Sequence, residues 1–326
     1  MNTKNAKVQS LAKTLLSKNE LGALLPLIFL LIVVAFVNPA FFVTRNILDI
    51  LRTASFSFIV AMPLTFLLAS QGLDLSVGAV TSLGGIVCGM ALKAGIPLIL
   101  SILIALAAGG VVGFINGLFA IKSDLPVFIA TLGTQYMVNG VIAITTNNVA
   151  ISNFKDSFKH ISQYRLFGKI YMPIIYALIL GIIGQVVLSK TRFGREVLAI
   201  GGNKETAYLA GINVNRRRMT TFIATSVMAA LAGVLMASRF ACAQPAAGSG
   251  TELSIMAGVI IGGTSMFGGQ GTVVGSAIGS ILLATITNAL ILMHVSTLWQ
   301  NFIYGLILIV ALYIDKYRRR VLSGER

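Results

Sequence analysis

Long apolar blocks, separated by short polar breaks, run almost from one end of this chain to the other. A helix crossing a hydrocarbon core of about 30 Å needs roughly 20 such residues. In that solvent only helices and closed barrels satisfy their own backbone groups. Blocks this long, and this rich in Leu, Ile and Ala, read as helices rather than barrel strands. Composition agrees: 56% of residues are hydrophobic and 11% charged, against roughly 25% charged in an ordinary soluble domain. We read about ten spans, at 21–38, 47–69, 75–92, 96–121, 126–146, 171–189, 220–241, 252–267, 271–293 and 297–314. The expected fold class is all-α, a polytopic transmembrane bundle. Residues 1–20 are expected to be a cytoplasmic segment, 21–314 the membrane domain with a cytoplasmic loop at 190–219, and 315–326 a basic cytoplasmic tail.

The net charge of +15 does not point to nucleic acid, because its placement follows the apolar blocks. Four basic residues fall in 1–20, one is Lys122, seven lie in 190–219 and five in 315–326. Retention of Lys and Arg on the cytoplasmic side produces this clustering, and no basic stretch is interleaved with aromatics. An even span count puts both termini in the cytoplasm, in the bacterial inner membrane. The loop 147–170 then falls outside, where Lys155, Lys159, Arg165 and Lys169 fit the rule poorly. Cys88 and Cys242 sit in apolar surroundings and read as small buried hydrophobes. The first apolar block ends at Asn38 and Pro39, not at a cleavage site, so it reads as a retained span.

Glycines recur four apart at 85 and 89, at 113 and 117, at 258 and 262, and at 271, 275 and 279. Such spacing lets helix backbones approach closely in lipid. A faint repeat is also visible. Gly72-Leu-Asp-Leu-Ser-Val recurs as Gly250-Thr-Glu-Leu-Ser-Ile, each opening a span after a polar break. Two weakly related halves with interrupted helices are a transporter pattern.

Catalytic signatures are missing from the sequence. There is no phosphate-cradling Gly-x-x-x-x-Gly-Lys-Ser/Thr, no His-Glu-x-x-His, no Cys-x-x-Cys and no Gly-x-Ser-x-Gly. His160 and His294 stand alone. No catalytic residue, metal ligand or bound cofactor is expected on this chain. Carboxylates near the spans are few, and burying one is expensive. Asp74 and its repeat partner Glu252 read either as lining or bracing a pathway, or as caps on the helices they open. Asn116, Thr131, Thr134, Gln135, Asn139, Asn288, Gln300 and Asn301 lie on predicted spans. They either offer donors and acceptors to a hydroxyl-rich solute or bond helix to helix. Such uncharged groups suit a neutral solute better than a proton or sodium relay.

In the loop 190–219, Gly201, Gly202 and Asn203 read as a turn, with Asn203 capping a short helix over 204–210 that stops at Gly211. A short capped helix between spans suits docking into a groove on a partner, and it leaves Tyr208 and Leu209 exposed.

Residues 193–214 resemble the cytoplasmic coupling region of ribose-type permeases of ATP-binding-cassette importers. Gly72-Leu-Asp-Leu-Ser-Val-Gly, Phe128-Ile-Ala-Thr-Leu-Gly, Ala243-Gln-Pro-Ala-Ala-Gly-Ser-Gly-Thr-Glu-Leu and Val259-Ile-Ile-Gly-Gly-Thr-Ser-Met-Phe-Gly-Gly resemble further signatures of that family, in order along nearly the whole chain. The early signature there often reads Gly-Gly-Ile-Asp, where this chain has Gln71-Gly72-Leu73-Asp74. The resemblance implies a dimer or pseudodimer with a second permease subunit, a separate ATP-binding cassette subunit carrying ATP-Mg, and an extracytoplasmic sugar-binding protein. It puts the coupling contact on Gly201, Gly202, Asn203, Glu205, Ala207, Leu209 and Gly211. Asp74, Asn116, Thr134, Gln135, Asn139, Gln244, Glu252, Asn288, Gln300 and Asn301 are the pathway candidates. The expected cargo is a monosaccharide, a ribose-like pentose or a hexose. A branched-chain amino-acid permease of the same class and an ion-coupled secondary sugar carrier are the alternatives.

Overall fold

The computed structural model describes residues 21–123 and 125–296, with scattered positions from 299 to 313. Helix α1 is Leu21–Val37, and a short 3-10 turn, Pro39–Phe42, leads into α2, Thr44–Ala69. Helices α3 (Val77–Lys93), α4 (Leu98–Lys122) and α5 (Val127–Thr146) follow. Then come β1 (Ile151–Ser152), α6 (Asp156–Gln163), β2 (Arg165–Leu166) and β3 (Ile170–Tyr171). Next are α7 (Met172–Lys190), α8 (Arg192–Gly202), α9 (Lys204–Leu209) and α10 (Val214–Phe240). The last described elements are β4 (Cys242–Ala243), α11 (Thr251–Ile261) and α12 (Val273–Leu292). The chain is thus mostly helical, and its strands are two-residue pairs: β1 with β4 and β2 with β3, both antiparallel.

Helices α2, α4, α5, α7, α10 and α12 are long and apolar enough to cross a membrane, and α1, α3 and α11 are shorter apolar helices. The expected tenth span at 297–314 and the two terminal segments fall almost wholly outside the described residues. Two expected boundaries moved for physical reasons. The span read as 252–267 stops at Ile261, because Gly263 takes a left-handed φ of +93° and the backbone turns back. The span read as 220–241 begins at Val214, because Asn213 accepts a bond from the Arg216 amide and starts the helix early.

Helix α2 is the centre of the bundle. Its most apolar window is 83% buried inside the protein, whereas those of α4, α5 and α7 are 22–28% buried. The outward faces of these three helices carry exposed apolar side chains such as Ile99, Tyr136, Ile144 and Leu178. In water such a surface would be an aggregation liability; against acyl chains it is the expected face. Arg52 of α2 ties the opposite loop to the bundle, donating to the Ser162 carbonyl at 2.9 Å and lying 4.0 Å over the Tyr171 ring.

Where helices cross inside the bundle, glycines remove the side chains between them. A Cβ on Gly113 of α4 would lie 2.7 Å from the Phe222 carbonyl oxygen of α10. Gly84 and Gly85 of α3 press on Ala230 and Gly233 of α10 in the same way. The spaced run on α12 meets α11 glycine to glycine, with Gly275 against Gly262 and Gly279 against Gly258. Lipid gives helices no hydrophobic reason to associate, so such close backbone packing supplies the attraction.

A pair of substitutions separates crowded from open glycines. Gly279→Ala puts a methyl group into the Gly258 carbonyl and is expected to destabilise the detergent-solubilised chain by roughly 1–3 kcal/mol. Gly133→Ala meets nothing within 4 Å and is expected to be neutral or slightly stabilising. Thermal unfolding followed by circular dichroism reads both.

Candidate functional site

The chemistry of the bundle concentrates in three places: an end where α8 and α9 sit, a buried polar centre, and a cavity. At the first, α8 and α9 fold back as a pair. Thr191 caps α8 by accepting from the Gly194 amide at 3.3 Å, and Asn203 caps α9 by accepting from Thr206 at 2.9 Å. Helix α9 ends as expected at Gly211, which takes φ +79°. The amides of Gly211 and Ile212 bond back to Tyr208 at 2.9 Å and Ala207 at 3.1 Å, and Ile212 packs on Ile200, Ala207 and Val214. This is the paired-bond glycine stop of a helix with its apolar clasp.

One expectation here is corrected. Gly201 and Gly202 do not form a turn but are the last residues of α8. With no Cβ, Gly201 presses against the Ala69 carbonyl at the end of α2 and the Gly269 amide. Of the expected coupling residues, Gly201 and Ala207 are buried inside this packing. Gly202, Asn203, Glu205, Leu209 and Gly211 are exposed. Tyr208 is 72% and Leu209 84% exposed, a bare apolar pair on a helix too short to hold itself.

Glu196 anchors α8 to α10. It accepts from Arg192 Nε at 2.7 Å and from Arg217 Nε, while being itself buried. The Arg217 hydrogen bond, helped by that of Arg192, holds its carboxyl below the ordinary carboxylate value.

The polar centre lies where α3 begins. Asp74 is fully buried. Its Oδ1 accepts from the Ser76 amide at 2.8 Å and the Ser76 hydroxyl at 2.6 Å. Asn116 Nδ2 of α4 reaches both carboxylate oxygens, at 3.2 and 3.3 Å, and Ser76 Oγ at 2.8 Å. The interrupted backbone before α3 is thereby braced to α4. On the other side, Gln135 of α5 donates to Glu252 Oε1 at 3.0 Å, leaving Oε2 buried without a hydrogen bond. Thr134 is buried and bonds its own helix at Ala130. Asn139 is half-buried and Gln244 exposed. Asn288 exchanges two amide bonds with Asn46, at 3.0 and 2.8 Å, joining α12 to α2. Gln300 and Asn301 lie outside the described residues.

The cavity, of about 290 Å³, opens between α2, α10, α11 and α12. None of the eight described pathway candidates lines it. Its wall carries the hydroxyls of Thr53, Ser57, Thr81, Ser249, Thr251, Ser254, Ser280 and Thr287, with Phe56, Phe240 and Arg239. Several of these hydroxyls give their proton to a nearby backbone carbonyl: Ser280 to Ser276, Thr287 to Leu283, Ser254 to Thr251. Their oxygens are left as acceptors. Arg239 donates to Thr53 Oγ1 at 3.0 Å and lies beside both rings, at 5.5 and 5.2 Å. No carboxylate among the described residues lines it. Acceptors on several walls, two aromatic faces and one cation suit an uncharged, hydroxyl-rich molecule with an apolar side. Sequence reading missed this set because Ser and Thr pass unremarked in apolar helices, and the walls come from distant parts of the chain.

A bundle of lipid-facing helices around interrupted ones, with a polar interior, defines a multi-pass membrane protein of the transport type. The chain belongs to the branched-chain amino acid transport system / permease component family, whose model matches residues 46–312. It is similar to the ribose import permease protein of Haemophilus influenzae, 36% identical over 91% of this chain and 93% of that protein. It is also similar to the autoinducer 2 import system permease protein of Klebsiella pneumoniae, 34% identical over 96% and 91%. The D-allose transport system permease protein of Escherichia coli is 34% identical over 86% of each chain. No solved structure matches it.

The Glu196 anchor makes a pH prediction. Its folded value is lowered, so its contribution is present above the ordinary value of 4.5 and is lost as pH falls through the folded value. Glu196→Gln is expected to destabilise the chain by roughly 1 kcal/mol at about pH 7. The difference from wild type should shrink as pH falls below the ordinary value of 4.5 and be lost once the folded carboxyl is protonated. Melting curves of the two proteins across that range check it.

Proposed function

We propose that this chain is the membrane-spanning permease subunit of an ATP-driven importer and passes an uncharged, sugar-like solute. One observation carries the reading: helix α9, capped at both ends, stands out from the bundle with Tyr208 and Leu209 uncovered, while its partner α8 is wedged against α2. A rigid, apolar-tipped helix is what a separate ATPase needs in order to push on a membrane bundle. Gly202, Asn203, Glu205, Leu209 and Gly211 then meet that subunit, and Gly201 and Ala207 hold the element in place. ATP and its magnesium sit on the partner.

The cargo follows from the cavity and from the relatives. The similar proteins are import or transport permeases named for ribose, autoinducer 2 and D-allose, and a hydroxyl-lined cavity offers acceptors to such molecules. A branched-chain amino acid brings an ammonium group that a cavity without carboxylates leaves unpaired. Selectivity comes from an extracytoplasmic binding protein, and a second permease copy or paralogue completes the pathway. Asp74, Asn116, Gln135 and Glu252 then act as braces of the interrupted helices around it and Asn288 as a helix clasp, while Thr134 and Asn139 stay pathway candidates on α5.

The finer topology belongs to the same proposal. Ten spans in two related halves put both termini in the cytoplasm with α8 and α9. The repeat supports this: its two copies open the short helices α3 and α11, and they meet where Gly248 presses on the Gly78 carbonyl and Ser82 Oγ accepts from the Gly248 amide. ATP then shifts the bundle between outward- and inward-facing packings by binding one better than the other.

Vesicles holding this chain, its ATPase and its binding protein test the reading. A pentose or hexose is expected to accumulate only with ATP and both partners. Leu209→Asp should cut uptake roughly thirtyfold, the loss of one interface anchor, with the chain still inserted. Ser280→Ala with Thr287→Val should raise the KM for the sugar several-fold, by roughly 1 kcal/mol of lost hydrogen bonding. Uptake that needs an ion gradient and no partner would overturn the proposal.

A further inference from the structure

Gln71 closes α2 in a conformation that glycine normally supplies. Its amide bonds to the Leu68 carbonyl at 2.9 Å, and the Gly72 amide bonds to that of Leu67 at 2.8 Å. This pair of bonds ends a helix on a left-handed residue, most often glycine. Gln71 takes φ +60°, a left-handed conformation in which any side chain is strained. Glycine would stop α2 equally well without that strain, so helix termination does not account for the glutamine.

The side chain does something else. Gln71 Nε2 donates to the carbonyl of Gly201 and to that of Phe267, each at 3.0 Å. Gly201 is near the end of α8, and Phe267 is in the turn between α11 and α12. One amide therefore bridges the ends of three segments remote in sequence. The backbones around it are in contact: the Gly269 amide donates to the Ala69 carbonyl at 2.9 Å, and a Cβ on Gly268 would lie 2.7 Å from the Gly201 carbonyl oxygen. The segments that Gln71 joins also lead to the cavity. Helices α2, α11 and α12 supply most of its wall, and all three end or turn at this point.

We infer that Gln71 is a positioning residue for energy coupling: its amide fastens the α8–α9 pair to α2 and to the α11–α12 turn, so that a displacement of α9 moves three cavity walls together. This rests on the ATP-driven permease reading. Without the amide, α8 stays folded by its own caps and by Glu196 and still touches α2 at Ala69 and Phe66, but its hydrogen-bonded link to the α11–α12 turn is lost. Each ATP hydrolysed then moves less solute.

The test uses the full complex with its ATPase and binding protein in vesicles, and reads solute accumulated per ATP hydrolysed. Gln71→Met keeps the side chain's bulk and removes its donors; Gln71→Gly also removes the strain. Both are expected to keep hydrolysis within about twofold of wild type while the transport ratio falls roughly fivefold to tenfold, the scale of one or two lost hydrogen bonds. Hydrogen exchange should rise at residues 199–203 and 265–270 in both. If transport and hydrolysis fall in proportion, or if Gln71→Gly matches wild type in ratio, the side chain serves only the fold and the inference is overturned. Wild-type complex that moves no solute with ATP would instead sink the permease reading beneath it.

Discussion

Backbone groups in hydrocarbon have no water to turn to, and this bundle interrupts its helices inside its own interior. Each interruption must therefore be satisfied by protein. Before α3 the work falls to Asp74, Ser76 and Asn116, hydrogen-bonded to one another with almost no solvent contact, which leaves Asn116 Oδ1 as the one buried oxygen of the three side chains without a hydrogen bond. Before α12 it falls to Thr272, which caps the Gly275 amide at 3.3 Å, with Thr264 accepting from the Thr272 amide at 3.4 Å. At the end of α2 it falls to Gly269 and Gln71. The positions of these polar residues are thus dictated by where helices break, and the breaks decide where a polar cavity can exist at all.

The two similar sequence stretches, Gly72–Val77 and Gly250–Ile255, meet the same problem differently. Asp74 has every oxygen engaged, whereas its counterpart Glu252 shares one oxygen with Gln135 and keeps the other without a bond beside Gly78. The longer Glu252 side chain reaches past the start of its own helix to lie beside Gly78 of α3. The α3 break is locked to α4; the α11 break borders the cavity through Gly250, Thr251 and Ser254. The first break is thus the more fully hydrogen-bonded of the two.

Much of this was legible in the residues. Length and apolarity placed seven of the nine described apolar helices within three residues at each end, Asn203 and Gly211 marked α9, and glycine spacing announced close helix approach at the run that meets α11. These signals are local, set by capping and by backbone approach, so one stretch of sequence contains them. The helix α8 was missed because Gly201 and Gly202 look like a turn until Ala69 is seen filling the room that the missing side chain of Gly201 leaves. Asn288 resembled a pathway residue because nothing nearby in sequence names Asn46 as its partner. The cavity hydroxyls were invisible for the same reason: Thr53, Ser254 and Ser280 meet only after the chain has crossed the bundle several times.

Rigidity is unevenly distributed, and that bears on how such a bundle can work. Helices α3, α4 and α10 are packed backbone to backbone through Gly84, Gly85, Gly109 and Gly113, and α11 on α12 through Gly258, Gly262, Gly275 and Gly279. Close-packed units of this kind shift as bodies rather than deform. The cavity lies along the seam between them, with α2 shared by both. A force arriving through α8 meets α2 at Phe66 and Phe193, whose rings are 6.0 Å apart, and at the contact of Gly201 with Ala69. It meets α10 through Glu196 and Arg217. The same short helix pair therefore touches both α2 and α10, two of the helices that line the cavity.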